Sequence, residues 1–384
     1  MTMNAFITGA YDTAVGKLPG SSCMGLHAEA ALGALADAGL TVGEIDGVLC
    51  AYSFTEPHLM LASVFCEVLG IHPGTCLAIQ AGGATACIMI MQAAALVASG
   101  QCQNVLVVTG DNRLSGLSRD GAVAALAEVG HPQFERPFGI SVPAAYALVA
   151  RRYMHEYGAT SEQLAAIAVQ HRTHALLHPK AQQRTPITVS DVLASKEIAS
   201  PLRMLDCCLI SDGGAAVIVS SKAAAAGTRH KAVEILGAGQ GHTHEHIVAA
   251  PSLTDFGCKS SSATAFARAG VTAADIDVAE IYDSFTITLL VELESIGFFE
   301  RGSAGIAAER GDLGIGGRLP CNTHGGLLSY AHSGAAGGMF HAVEAVHQLR
   351  GHAEGRQVRD AKLAFVHGDG GILSAHCSLV LGVH

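Results

Sequence analysis

The chain has 384 residues, of which 49% are hydrophobic, 15% are charged and 45 are glycine. This length exceeds the size at which one hydrophobic core keeps growing, and this composition excludes a disordered chain and predicts two similar α/β halves. A net charge of −10 with scattered basic residues excludes a nucleic-acid-binding surface, and eleven cysteines without a Cys-x-x-Cys motif exclude a zinc knuckle and a disulfide framework.

The first half alternates short β-branched runs with longer alanine-rich helical patterns, as in βαβ units with a mainly parallel sheet. The predicted strands are 5–8, 47–51, 105–109 and 215–220, and the predicted helices are 24–38, 84–99, 143–157 and 222–226. The irregular stretch 110–143 is too long for an ordinary connection, so we predict a functional loop or an insertion, which would extend over about 110–205.

The alternation repeats in a second half, which divides the chain into residues 1–228 and 229–384. The strands predicted here are 233–237, 278–282, 362–367 and 378–381, and the helices are 261–269, 285–293 and 339–349. The last two strands flank a glycine-rich turn and are predicted to form a hairpin.

The most apolar segment, 84–99, is interrupted by Gln92 and is short for a bilayer, which needs about 20 apolar residues. It is predicted to be a buried central helix. The segment 1–9 has the pattern of a strand rather than of an export signal, so a cytoplasmic protein is expected. The low charged fraction leaves apolar surface that we expect to be buried in an oligomer.

A glycine-rich turn in the second half carries the clearest chemical signal. The run from Asn322 to His332, followed by Gly334 and Gly337, places a histidine immediately before a helix. Backbone N–H groups at a helix N-terminus and an imidazole aimed at the same point stabilise a thioester oxygen as it becomes an enolate. His332 is therefore a candidate oxyanion residue, although a single histidine is also compatible with a solvated loop.

This turn resembles the Asn-x-x-Gly-Gly…Gly-His-Pro-x-Gly-Ala-x-Gly motif of the thiolase superfamily, especially its sterol-carrier-protein-x branch. Four further segments resemble family motifs in the same order: the nucleophile loop and central helix, the Ser-Asp-Gly-Ala-Ala turn, the Asn-Glu-Ala-Phe position and the last Cys-x-Gly-Gly-Gly turn, at 80–100, 211–216, 282–285 and 367–371. The resemblance implies an α/β thiolase fold, in which two βαβαβ halves form a layered αβαβα core, and an acyl-CoA substrate.

Two departures from the family pattern concern the chemistry. Gly83 occupies the position of the acyl-accepting cysteine and cannot be acylated, and His367 stands where many thiolases have an acid/base cysteine. By this resemblance Gly83, His367, Gly370 and Gly371 form the turns of an oxyanion site, without a covalent centre.

Cys87 remains an alternative nucleophile, because it lies four residues after Gly83 and a helix N-terminus can lower a thiol pKa. Four helical residues correspond to about 6 Å of rise, which would displace the sulfur from an oxyanion hole. The preferred interpretation is a buried packing group.

Two tyrosines are predicted to converge on the pocket: Tyr282 at the family's Asn or His position, and Tyr330 two residues before His332. Phenols perform acid/base catalysis without a covalent intermediate, and we favour Tyr330 as the group that meets a substrate hydroxyl. Each tyrosine alone is also compatible with a buried, hydrogen-bonded core residue.

Tyrosine at both positions with glycine for cysteine resembles the steroid side-chain aldolases of the superfamily. This resemblance implies retro-aldol cleavage of a tertiary β-hydroxyacyl-CoA to a ketosteroid and a short acyl-CoA, with no cofactor beyond the substrate's own coenzyme A. It also implies a homodimer and a small OB-fold and zinc-ribbon partner protein.

Two other function classes stay open, an acyltransferase with a relocated cysteine and a non-catalytic acyl-CoA-binding subunit. The glycine runs lack the spacing of a dinucleotide fingerprint, so NAD is not supported. His242, His244 and His246 are compatible with a metal site, but no fourth ligand is identifiable and the run is interpreted as a solvated loop. No metal is predicted, and neither nucleic acid nor a membrane is expected as a partner.

Overall fold

The computed structural model describes residues 4–118, 121 and 128–383. Its strands are β1 (Ala5–Asp12), β2 (Gly47–Ala51), β3 (Thr75–Ile79), β4 (Asn104–Asn112), β5 (Glu197–Ala199), β6 (Leu202–Arg203), β7 (Asp212–Ser221), β8 (Val233–His242), β9 (Val278–Ile281), β10 (Leu363–Gly370) and β11 (Ala375–Gly382). Nine of these described strands form one mixed sheet in the order β3-β2-β4-β7-β1-β8-β11-β10-β9, and β5 pairs with β6. Five of the eight pairings in this sheet are antiparallel, which corrects the predicted mainly parallel sheet.

The helices of the described residues are α1 (Cys23–Ala38), α2 (Leu61–Leu69), α3 (Thr85–Ala98), α4 (Arg113–Gly116), α5 (Val142–Tyr157), α6 (Ser161–Leu176), α7 (Val189–Ala194), α8 (Lys222–Ala225), α9 (Cys258–Ala269), α10 (Thr286–Ile296), α11 (Ala304–Glu309), α12 (Gly326–Ser329) and α13 (Ala336–Arg350). Within the described ranges, none of these helices combines the length and apolarity needed to cross a bilayer.

Two helices, α3 and α13, form the centre of the molecule, where they contact each other and strands of both halves. Both are buried on nearly all sides, so both are covered by other elements on opposite faces. Helices α1 and α2 cover the outer face of the first half, and α9 covers β8 and β11 of the second. The resulting αβαβα layering confirms the predicted fold class.

The halves join through a short antiparallel contact between β1 and β8, in which Phe6 pairs with Glu234 and Ile7 with Val233. The predicted division at 228/229 falls in the connection between α8 and β8. All strands predicted from the sequence are confirmed, with longer bounds at most ends. β3 was not predicted because it is a five-residue edge strand that is only partly buried and shows no alternation.

The predicted insertion at about 110–205 contains the helices α5, α6 and α7 and the β5–β6 pair. It is therefore mostly regular structure, where the sequence predicted only the one helix at 143–157. Residues 119, 120 and 122–127 of the predicted loop, and residues 1–3 of the segment compared with an export signal, lie outside the described residues.

Candidate active site

A cavity of about 270 Å³ lies at the carboxyl ends of β4, β9 and β10 and at the amino ends of α3 and α13. Loops at these ends combine freely oriented side chains with helix N-termini, which favours a binding site there. Four of the residues predicted from the sequence line this cavity: Gly83, Tyr282, His332 and Gly371.

A side chain at position 83 would occupy the same space as the Tyr282 ring. A Cβ atom at position 83 would overlap the ring and hydroxyl of Tyr282 and the carbonyl oxygen of Asp369. Real side chains do not tolerate such overlap. The Tyr282 phenol therefore fills the volume into which a nucleophilic side chain at position 83 would project, and the two are mutually exclusive.

Tyr282 and His332 form a hydrogen-bonded pair, with 2.9 Å between the phenol oxygen and Nε2. Burial raises the pKa of Tyr282 well above its usual value, so the phenol is protonated. Burial and the nearby Arg113 lower the pKa of His332 to about 3, so the imidazole is neutral. Ser211 fixes the backbone of His332 through bonds of 2.9 and 3.0 Å to its N–H and carbonyl groups. A neutral acid and a neutral base thus meet at the cavity wall.

Arg113 adds a buried positive charge to the same wall. The residue is 4% exposed, its guanidinium lies over the ring of Phe54 at 4.7 Å, and its Nε has no hydrogen-bond partner in the part of the chain that the structure describes. Among the described residues, no carboxylate forms an ion pair with it. A buried guanidinium without a counter-ion favours an anion in the cavity.

The second tyrosine with a hydroxyl directed at this site is Tyr146, on α5. Its hydroxyl donates to Asp369 Oδ2 at 3.0 Å and to the Gly371 carbonyl at 3.2 Å, and its ring stacks on Phe285. Burial and the charge of Asp369 raise the pKa of Tyr146 well above its usual value. Tyr146 is therefore a neutral hydrogen-bond donor beside the Tyr282–His332 pair.

Tyr330 does not reach the cavity, which corrects the predicted convergence of Tyr282 and Tyr330. Tyr330 is 1% exposed and its hydroxyl donates to the Asp12 carboxylate, which also pairs with Lys180 at 2.7 Å. Its ring packs against His178 and Phe340. Tyr330 follows the single turn of α12, and this turn directs its side chain away from that of His332.

The other predicted site residues also lie outside the cavity lining. Cys87 is fully buried on α3, and burial raises the pKa of its thiol to about 12. His367 is buried against Ser378 and His376. Gly370 lies beneath the cavity, where a Cβ atom would overlap the Ala81 carbonyl oxygen. The final turn thus contributes Asp369 and Gly371 to the cavity.

Sequence reasoning missed Arg113, Tyr146 and Asp369. Asp369 lies within the final glycine-rich turn and could have been found there, since it is the one charged residue of 367–371 that is not histidine. Arg113 and Tyr146 flank the irregular stretch after β4, and their only signal was the expectation that this stretch is functional. Cys207 and Cys208 also line the cavity, and burial raises the pKa of Cys208 to about 12.

Comparison with known protein families shows which family this chain belongs to. Residues 5–223 match the thiolase N-terminal domain, and residues 239–383 match the thiolase C-terminal domain-like family. The chain belongs to the thiolase family. The expected superfamily is thereby confirmed, and this thiolase-family chain has glycine at the position that the resemblance assigns to the acyl-accepting cysteine.

Individual relatives lie in the expected branch of the thiolase family. A steroid side-chain-cleaving aldolase of Thermomonospora curvata is 37% identical over 89% of this chain and 90% of the relative. A 17-hydroxy-3-oxo-4-pregnene-20-carboxyl-CoA lyase of Mycobacterium tuberculosis is 37% identical over 90% of this chain and 92% of the relative. A solved structure described as Ltp2-ChsH2(DUF35) aldolase superimposes with a TM-score of 0.88 at 35% identity, covering 100% of this chain and 98% of that one.

Proposed function

We propose that this chain is a carbon–carbon lyase that cleaves a β-hydroxyacyl-CoA by retro-aldol chemistry, giving a ketone and a shorter acyl-CoA. The observation that carries this proposal is the overlap of position 83 with Tyr282. The phenol fills the space that a nucleophilic side chain at position 83 would occupy. The names of the similar aldolase and lyase support the same reaction class.

In the proposed reaction, the β-hydroxyl proton passes to the Tyr282 oxygen while the Tyr282 proton passes to His332 Nε2. The bond between the α- and β-carbons breaks, the β-carbon becomes the ketone, and the electron pair forms the thioester enolate. Because His332 gains a proton as the enolate gains a negative charge, the net charge of the cavity does not change. A buried site favours proton transfers that leave its net charge unchanged.

Arg113 and Tyr146 stabilise the enolate oxygen in this scheme. Arg113 supplies a positive charge, and Tyr146, which stays protonated, supplies a hydrogen bond by turning its single hydroxyl hydrogen from Asp369 to the enolate oxygen. The proton on His332 then returns through Tyr282 to the α-carbon. One tyrosine serves both steps, since the hydroxyl oxygen and the α-carbon are attached to the same β-carbon.

The substrate class follows from the cavity wall. Apolar side chains line much of it, including Phe54, Val129, Val142, Ile210 and Phe285. Such a wall suits a rigid hydrocarbon skeleton better than a sugar or a nucleotide. With the steroid named in both relatives, we propose a steroid side-chain CoA thioester with a tertiary β-hydroxyl as the substrate.

An acyltransferase is the second candidate function, and Cys207 and Cys208 are the cysteines that would serve it, since both line the cavity. Burial raises the pKa of each thiol, so both stay protonated at neutral pH, which disfavours nucleophilic attack. The buried Tyr282–His332 pair disfavours a purely non-catalytic subunit, as does Arg113, which has no ion-pair partner among the described residues.

We further propose that the chain acts in the cytoplasm as a homodimer with a small OB-fold and zinc-ribbon partner. The edge strand β3 exposes Leu77 by 44%, which suits continuation of the sheet into a second copy. The pairing of Ltp2 with ChsH2(DUF35) in the description of the similar solved structure supports a protein partner.

The test is a product assay with the purified chain, alone and co-expressed with its candidate partner. One substrate is a steroid side-chain β-hydroxyacyl-CoA with a tertiary hydroxyl, and the other is a β-ketoacyl-CoA supplied with free coenzyme A. We expect the steroid β-hydroxyacyl-CoA to give a ketosteroid and a short acyl-CoA, and we expect no turnover of the β-ketoacyl-CoA. Thiolysis of the β-ketoacyl-CoA without cleavage of the first would overturn it.

A further inference from the structure

Behind the cavity wall, a glutamate and two histidines face one another in the interior. Glu292 comes from α10, and His367 and His376 come from the β10–β11 hairpin. In that hairpin His367 pairs with Ser378 and Asp369 pairs with His376, so these four side chains lie on one face of the hairpin. Glu292, His367 and His376 are fully buried.

The hydrogen bonds around His376 fix which of its nitrogens carries the proton. Nε2 lies 2.9 Å from the Leu373 carbonyl oxygen, which can only accept. Nε2 therefore carries the hydrogen of the neutral ring, and Nδ1 presents a bare lone pair. This lone pair points toward His367 and Glu292.

A chain of hydroxyl groups fixes His367 in the same way. The Ser261 hydroxyl donates to the Cys258 carbonyl at 3.0 Å, so the Ser378 hydroxyl donates to Ser261 across 2.9 Å. The Ser378 oxygen then accepts from His367 Nδ1 at 2.9 Å. His367 Nε2 is therefore a second bare lone pair, 3.1 Å from Nδ1 of His376.

Glu292 adds a third ligand atom to this triangle. Its Oε1 lies 3.4 Å from His367 Nε2 and 3.6 Å from His376 Nδ1, and among the described residues neither of its carboxyl oxygens has a hydrogen-bond partner. These separations exceed the length of an O–H···N or N–H···O hydrogen bond. They match the spacing of about 3.4 Å between donors held tetrahedrally at about 2.0–2.1 Å from one ion.

We propose that Glu292, His367 and His376 bind a divalent transition-metal ion. A proton held among the three groups would join only two of them at a time, whereas one ion contacts all three ligands. Two imidazoles and a carboxylate form the donor set of zinc or ferrous iron. Asp369 Oδ1 lies 4.0 Å from His376 Nδ1 and has no hydrogen-bond partner among the described residues. A dication beside it would favour the ionised form of Asp369, which would supply the second balancing negative charge.

The position of the site indicates a structural role. The ion would tie the β10–β11 hairpin to α10, and the same hairpin carries Asp369 and Gly371 to the cavity. The bound ion thereby holds the cavity floor against the second-half core. Because the ligands are fully buried, metal binding is coupled to folding and exchange is slow.

A second buried group, Glu280 with His324 and His341, provides a contrast. Glu280 Oε1 already accepts from the backbone and hydroxyl of Thr323 at 3.0 and 2.8 Å. Despite burial, the neighbouring carboxylates of Asp283 and Glu280, which accept from the imidazole, raise the pKa of His341 to about 9, so a protonated ring lies between two carboxylates. This group carries its own positive charge and makes Glu280 a matched control for Glu292.

The experiment measures the metal content of the full chain purified without its partner, since a zinc-ribbon protein would contribute its own metal. Cells are grown with zinc, iron and manganese, and the protein is dialysed against a chelator. We expect roughly one ion per chain and an X-ray absorption spectrum with nitrogen and oxygen ligands at about 2.0–2.2 Å. The variants Glu292→Gln and His376→Phe should each lower the metal content at least about tenfold, whereas Glu280→Gln should retain it.

Two outcomes overturn the proposal. One is wild-type protein that contains less than roughly one ion per ten chains after expression in supplemented medium, which would assign the triangle to a shared proton. The other is bound metal with sulfur ligands, or metal lost in Glu280→Gln and kept in Glu292→Gln. The wild-type measurement decides the question even if a variant fails to fold.

Discussion

Tyr282 and Tyr330 are both buried tyrosines of the second half, at 5% and 1% exposure, but their hydroxyl groups meet different partners. The Tyr282 hydroxyl meets a neutral imidazole at the cavity wall, whereas the Tyr330 hydroxyl donates to a carboxylate held by Lys180. A proton can move between Tyr282 and His332 as substrate charge develops. Lys180 already balances the negative charge of the Asp12 carboxylate, so Tyr330 contributes to the packing between the halves.

The comparison shows that the partner of a phenol decides its role, not its distance from a catalytic histidine along the chain. Tyr330 is two residues from His332 along the chain but lies outside the cavity. Tyr282 is 50 residues from His332 along the chain, and the two side chains form a hydrogen bond. Substitutions that remove one phenol oxygen, or disturb its contact in the cavity, therefore test the roles of Tyr282 and Tyr330 separately.

The largest effect is expected for Tyr282→Phe, which keeps the ring and removes the group that receives the substrate proton. General acid/base groups contribute about 10² to 10⁴ in rate, so kcat should fall within that range. Affinity for the CoA ester should change little, because the phenol acts mainly in the transition state. Steady-state kinetics with calorimetric binding of the acyl-CoA measure both quantities. A loss confined to binding would contradict the proposed role.

Gly83→Ala should lower kcat by roughly 100-fold, because the added Cβ displaces the Tyr282 ring from His332 and small displacements of a reacting group cost this much. Gly43→Ala is the matched control, since a Cβ there meets no atom within 4 Å. Both variants are compared by kcat and by circular dichroism. A folded Gly83→Ala variant with wild-type kcat would show that Tyr282 does not need its present position.

Tyr330→Phe should leave kcat within a few-fold and lower the free energy of unfolding by about 1.5–3 kcal/mol, as for a lost hydrogen bond to a charged group. Urea unfolding at neutral pH measures this difference. Burial opposes ionisation of Asp12, but Lys180 and the hydrogen bonds from Lys180 and Tyr330 lower its pKa.

Because the folded pKa of Asp12 is lowered, the stability it contributes is present above about pH 3.9, the pKa of an unfolded aspartate, and is lost as the pH falls below that value. The stability difference between wild type and Tyr330→Phe should therefore narrow below that pH. A constant difference from pH 7 to pH 3 would argue against the bond to an ionised Asp12.

The smallest effect is expected for Cys87→Ala, with kcat within a few-fold of wild type, because the thiol is buried away from the cavity and its pKa is raised to about 12. Intact mass spectrometry of enzyme quenched during turnover should show no acyl adduct. An adduct on Cys87, or one on Cys208, would instead support the acyltransferase.

Much of the fold was predictable, because alternating β-branched and alanine-rich segments with glycine ends have regular periods. The helices α1 and α3 begin and end within one residue of the predicted bounds, since Gly39 and Gly100 end them in the left-handed conformation. The edge strand β3 and the helices of the insertion lack such signals. Their burial depends on neighbours from distant parts of the chain.

The candidate site was only partly predictable for the same reason. Gly83, Tyr282 and His332 belong to motifs, and the fold brings them together. The direction of the Tyr330 side chain depends on the single turn of α12, and the approach of Tyr146 and Arg113 depends on how the insertion folds over the cavity. Spacing along the sequence carries no information about these contacts.

The most direct test of the account is the ratio of kcat for Tyr330→Phe to kcat for Tyr282→Phe, measured with the same steroid β-hydroxyacyl-CoA at saturation. Each change removes one phenol oxygen from a buried ring, so the ratio compares only what the two hydroxyl groups do. The proposed roles of the two hydroxyl groups predict a ratio of about 30 or more. A ratio near one, or one below it, would show that Tyr282 is not the group that transfers the proton.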